Sequence, residues 1–187
     1  MNNFFDKNTV EFATVAAEYC GFVENAYGQS KMDFVDKSLK LFALLYLKGT
    51  MQGKAGEDLL GDYAEEFVSE LDWQQIQNNV SGILGQHDVY IDLPEKKDEY
   101  AVEASAVCLS ECYADIYQDL KNFVERYKIG ENESMHVAVA FCRNDFFARW
   151  GMRTIGIMQE LHLLLSSGEQ LDDDEGSTAY NNYENEF

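Results

Sequence analysis

Proline is nearly missing. Pro94 is the only one in 187 residues, so almost nothing in the chain forbids long helices. Basic residues are scarce too: 14 Lys and Arg face 34 Asp and Glu, a formal net charge of −20. Phosphate-reading surfaces are built from Lys and Arg, so nucleic acid is excluded as an expected partner, and so is adhesion to an anionic membrane. A basic protein partner is allowed. The three histidines, His87, His136 and His162, are widely separated and form no His/Glu pair at ligand spacing, which speaks against zinc catalysis. Apolar runs are short. The longest, "LFALLYL" at 41–47, falls far below the ~20 residues of a membrane span. "MNNFFDKN" lacks the basic start and apolar centre of a signal peptide. Cys20, Cys108, Cys112 and Cys142 show no CxxC spacing, so they read as core thiols of a protein kept in a reducing, cytoplasmic setting.

What is present is core material. Hydrophobic residues make up 46% of the chain, with 12 Phe and 11 Tyr, enough at this length for one domain without disulfides or metal. Helical periodicity dominates. A first helix is predicted over 9–27, capped by Asn8 with Glu11 as its capping-box acid. Val10, Ala13, Ala16, Cys20, Val23 and Tyr27 lie on one face of it, and Phe12, Val15, Tyr19 and Phe22 form a second stripe. A second helix follows over 33–48, then a glycine-rich connection over 49–66. A third opens at Ser69, with Asp72 three residues on, and ends near Gly85. "DVYIDLP" at 88–94 is the one strand-like piece, too little for a sheet.

The fourth helix is predicted over 98–128, where Val102, Ala106, Leu109, Tyr113, Ile116, Leu120, Phe123 and Tyr127 form a seam of coiled-coil spacing. A fifth starts near Asn132 or Ser134 and runs to about 166. The expectation is a single all-α bundle of about five helices over residues 1–167, with two long C-terminal helices. Residues 168–187, "GEQLDDDEGSTAYNNYENEF", carry seven acids and no base, and read as a flexible acidic tail. Its Tyr180, Tyr183 and Phe187 follow the acids as candidate partner-binding anchors.

Two segments concentrate charge within helices: "ADIYQDLKNF" at 114–123 and "RNDFFARWGMR" at 143–153. On an uninterrupted helical wheel Asp119 lies at the edge of the fourth helix's seam, with Asp115 farther round. Arg153 falls within the fifth helix's apolar face and Arg149 at its margin. An inward guanidinium needs a carboxylate, so Arg153 is expected to pair with Asp119, or next with Asp115, in a buried or half-buried ionic lock. The same residues, with Tyr117 and Trp150, are the candidate cluster if the chain has a site. A lock would be paired and dry; an active site would line an open pocket.

These motifs carry a resemblance. "LSECYADIYQDLKNF" followed by "FFARWGMRTIGIMQELHLLL" resembles a bacterial family known as domain of unknown function 5063. The matching positions are Asp115, Ile116, Tyr117, Asp119, Leu120, Lys121, Trp150, Gly151, Leu161 and His162. The likeness covers most of the helical region and is dense over 105–165. It implies an all-helical fold and no reaction. Relatives often carry His on either side of the Trp-Gly pair, where this chain has Arg149 and Arg153; arginine does not ligate metals, so no shared metal site is implied.

Other chemistries fail on pattern. Glu111, Asp115 and Asp119 lack the second acidic helix of an all-α nucleotide hydrolase; Glu66 and Glu70 do not match it. "GTMQGK" is one residue short of a phosphate loop and lacks its final Ser/Thr. The acids before Gly176 would place Leu171 at the first position of a calcium loop. Neither a cofactor nor a metal is expected. Two functions stand: a non-catalytic interaction module with an acidic surface, or a small-molecule or metal-dependent enzyme centred on Asp115, Asp119, Arg149 and Arg153.

Overall fold

The computed structural model describes residues 7–52, 66–92 and 105–171. Within them the chain is all-helical apart from one small hairpin. Helix α1 spans Lys7–Glu24, α2 Lys31–Met51 and α3 Glu70–Leu84; a 3₁₀ turn at Gly85–Asp88 leads into β1 (Val89–Asp92), paired antiparallel with β2 (Ser105–Cys108). Helix α4 covers Leu109–Lys128 and α5 Asn132–Asp145. A π-helical turn at Phe146–Trp150 joins α5 without a break to α6, Gly151–Ser166. Helix α4 is central, with α3, α5 and α1 packed on it, while α6 lies along α2. No helix among the described residues is long and apolar enough to cross a membrane.

Local chemistry sets most boundaries. Ser30 caps α2 by accepting from the Asp33 N–H, and Ser69 with Asp72 forms the expected reciprocal capping box on α3. Helix α1 already runs at Lys7, so Asn8 is not its cap; the Asn8 carbonyl instead accepts from Gln52 Nε2. Glu11 pairs with Lys48 of α2 at 2.5 Å. The stripe of Phe12, Val15 and Tyr19 is the buried one, together with Ala16, Cys20 and Val23. Val10 is exposed, and Tyr27 stands 87% exposed because α1 ends three residues earlier and Gly28, at φ +79°, turns the chain. At the centre, Tyr19 donates to the Tyr113 carbonyl at 2.9 Å. The rings of Phe34 and Phe42 pack on Tyr113 at 5.6 and 4.9 Å.

The expected fourth helix begins eleven residues late. Residues 105–108 form β2, so the strand-like piece has a partner after all, and α4 starts at Leu109. Its start has no local cap. Asp88, buried at the end of the 3₁₀ turn, reaches across instead: its carboxylate accepts from the Ser110 N–H and hydroxyl, both at 2.7 Å. That places an acid where the first turn's unpaired donors want one. Beyond α6, Leu171 is buried and Glu169 lies 3.7 Å from His87. Tyr180, Tyr183 and Phe187 fall outside the described residues.

Candidate functional site

The π turn decides where the charges go. It fits one extra residue into the helix, so every face beyond it is turned back by up to one residue's step of about 100°. Met135, Val139, Cys142 and Phe146 are buried before the turn; after it the buried row is Trp150, Thr154, Ile157 and Leu161. Arg153, expected inward, is carried to the surface with its side chain 41% exposed.

The pairing shifts accordingly. Arg149 Nη2 lies 3.1 Å from Asp119 Oδ1 and 2.8 Å from Asp145 Oδ2, bridging α4 to the end of α5. Arg153 Nη1 meets Asp115 Oδ2 at 2.8 Å. The expected Asp119–Arg153 lock is thus two ladders, Asp119–Arg149 and Asp115–Arg153, and neither is dry. Asp115 also accepts from Trp73 Nε1 at 3.0 Å, so one carboxylate ties α3, α4 and α6 together. Nothing in the spacing pointed to Trp73. Asp145 had a signal, standing four residues before Arg149 on one helical face.

Tyr117 and Trp150 do not join this cluster. Tyr117 projects from another face of α4 and donates to Glu24 Oε1 of α1 at 2.8 Å, beside the Lys121–Glu24 pair. Trp150 is fully buried between Phe12 and Phe146, with ring centroids at 6.1 and 4.6 Å.

Asp119 faces a groove of about 530 Å³ between α4 and α5. Glu66, Asp119 and Asp145 set three carboxylates against the guanidinium groups of Arg126 and Arg149, and Phe123 and Phe141 supply its apolar surface. Asn122 holds one wall by accepting from the backbone N–H groups of Phe67 and Val68. Burial pushes the Asp119 carboxyl up to about 6, against the pull of Arg149, with Asp145 adding to the rise. The thiols are held protonated: burial raises Cys20 to about 12 and Cys112 to about 11, and carries Cys142, on the groove wall, well up. Among the described residues no group of three or more His, Cys, Asp or Glu is placed to hold a metal ion.

Two outcomes test this geometry. Half-exposed pairs contribute about 0–1 kcal/mol, so Arg153→Met is expected to cost no more than about 1 kcal/mol. In double-mutant cycles by urea unfolding, Asp119 should couple to Arg149 and not to Arg153. Coupling between Asp119 and Arg153 as large as that with Arg149 would refute the assignment.

The second outcome is a pH slope. Between about 4 and 6 folded Asp119 keeps a proton that the unfolded chain has released, so its contribution to stability falls as pH rises through that window. That rise corresponds to up to about 3 kcal/mol. Asp119→Asn should flatten this part of the profile relative to the parent, and parallel profiles would contradict it. Glu11, Asp72 and Glu125 work in the opposite sense. Hydrogen bonds from Lys48, Ser69 and Lys128 respectively hold them low, so their contributions are lost only as pH falls further.

Comparison with known proteins follows the same lines. The sequence profile of the family described as Domain of unknown function (DUF5063) matches residues 3–167. Among solved structures, the crystal structure of protein BF1032 from Bacteroides fragilis, a structural-genomics target, is similar. Its TM-score is 0.76 at 36% identity, covering 89% of this chain and 98% of that one. Among curated proteins none matches.

Proposed function

We propose, for a chain that belongs to the DUF5063 family, that its work is binding without catalysis: the α4–α5 groove takes a basic segment of a partner protein. The observation that carries this is the groove itself, with the carboxylates of Glu66, Asp119 and Asp145 outnumbering the buried Arg126 and the exposed Arg149, beside the rings of Phe123 and Phe141. An arginine or lysine of the partner would meet Asp145 and Asp119, and an apolar neighbour would cover the rings. The net charge of −20 steers such a partner in. A cytoplasmic setting suits the four free thiols. The acidic residues 172–175 with Tyr180, Tyr183 and Phe187 are proposed as a second contact for the same basic partner.

The test uses the full chain and two labelled peptides, one alternating arginine with leucine and one with glutamate in place of arginine. The arginine peptide should bind, weaken with added salt, and weaken further in Asp145→Asn at unchanged melting temperature. Equal binding of the glutamate peptide, or no effect of Asp145→Asn, would refute the groove as the site.

A second reading, an enzyme acting on a small molecule, rests on Asp119 alone. A carboxyl at about 6 beside an open groove exchanges protons readily near neutrality. Against it, Arg149 sits on that carboxylate at 3.1 Å.

A further inference from the structure

A second, larger cleft lies away from this groove. It encloses about 720 Å³ between the α1–α2 turn and the C-terminal half of α3, with Leu171 at one edge. Its composition is unlike the rest of the chain. Acids outnumber bases 34 to 14 overall, yet among the described residues none that lines this cleft carries a carboxylate. The walls offer the ring of Tyr27, the amides of Gln29, Asn78 and Asn79, and glycine backbone at positions 28, 82 and 85.

The capacity of these groups for a ligand differs. The cation and the helix end are already engaged. Ser30 Oγ accepts from the Asp33 N–H, Asp33 itself places a carboxylate in the first turn of α2, and Lys31 has an interaction of its own. Little is left there for an anion. The neutral groups are the free ones. Asn78 and Asn79 make no side-chain bond within the described protein. Gln29 donates Nε2 to the Asn25 carbonyl and leaves a buried Oε1 without a partner. Tyr27 presents its ring almost wholly to solvent, at 87%. Free amides both donate and accept, which suits vicinal hydroxyls, and an exposed aromatic face suits the C–H side of a pyranose ring. A volume in the usual range of small-ligand pockets completes the set.

From this we propose that the cleft between the α1–α2 turn and α3 binds a neutral carbohydrate, with Tyr27 as the stacking platform and Asn78, Asn79 and Gln29 as the hydroxyl-reading groups. The site is independent of the α4–α5 groove, and its outcome leaves the peptide-binding reading untouched.

The experiment titrates the full chain with cellobiose, maltose and N,N′-diacetylchitobiose at millimolar concentration, alongside glucose 6-phosphate and inorganic phosphate. Amide shifts are followed by NMR. At least one neutral disaccharide should shift the amides of residues 78–85 and show saturation transfer. Tyr27→Ala and Asn78→Ala, both at exposed positions, should each weaken it by about tenfold. Gly82→Leu is the decisive variant. A side chain there meets open space, with nothing within 4 Å of the added Cβ, and replaces a helical glycine. The fold should keep or raise its melting temperature while the sugar no longer binds. Shifts from phosphate or glucose 6-phosphate exceeding those from every neutral sugar would overturn the proposal in favour of an anion site. Silence from all three disaccharides, or binding that survives Gly82→Leu, would overturn it outright.

Discussion

Gly151→Ala is expected to lower stability by about 3 kcal/mol or more, well above the usual cost of an added methyl. A Cβ at this position would lie 2.4 Å from the Phe146 carbonyl oxygen and 2.9 Å from its ring. The Gly151 N–H donates to that same carbonyl, the bond that closes the π turn. The obstacle is backbone, so no side-chain rotation relieves it, and the helix must move or the turn must break. The ring of Phe146 is fixed from the other side as well, since a Cβ on Gly49 of α2 would come within 2.8 Å of it. Gly21→Ala is the control. It sits within α1 with nothing inside 4 Å, and alanine there should be neutral or stabilise by up to about 1 kcal/mol. Urea unfolding that gives the two variants equal stability would show that the π turn does not require glycine.

Trp150→Ala should be the most damaging single truncation, about 3–5 kcal/mol, on the order of 10 °C in melting temperature. The indole is fully buried, faces Phe12 at 6.1 Å and Phe146 at 4.6 Å, and its edge meets Gly49. It therefore joins α1, α2 and the α5–α6 run at one point. Its Nε1 is buried without a hydrogen-bond partner among the described residues. A change that keeps the ring and drops that N–H should thus be milder. Trp150→Phe is expected to cost about 1–2 kcal/mol, a smaller cavity partly offset by loss of an unpaired donor. If phenylalanine and alanine prove equally disruptive, ring packing is not what Trp150 contributes.

Features encoded within a few residues were legible in the sequence. The Ser69–Asp72 box placed α3, and the i, i+3, i+4 apolar pattern of α4 named Leu109, Tyr113, Ile116, Leu120 and Phe123, all buried. Arg153 meets Asp115, the second choice, and leaves Asp119 to Arg149, because a wheel at a constant step has no place for a π turn. Residues 105–108 continue the α4 pattern by one step at Ala106, and only the partner strand, thirteen or more residues upstream, makes them β. Tyr117 looked like a member of the charged cluster because it lies between its two aspartates. Adjacent residues on a helix point about 100° apart, so it reaches Glu24 instead.

The remote cap on α4 has a consequence for how the molecule opens. A helix with its own capping residue can form and fray by itself, whereas α4 takes its starting acid from Asp88, 22 positions earlier and on the far side of the hairpin. Its first turn and the β1–β2 ribbon are therefore one cooperative unit. When the 3₁₀ turn lifts, Ser110 loses both bonds, and the strand register from Val89–Cys108 to Asp92–Ser105 loses its anchor at the same moment. Amide protons of residues 89–92 and of the first turn of α4 should then exchange with a shared opening free energy. The central half of α4, held on three sides by α1, α3 and α5, should exchange only with unfolding of the whole bundle.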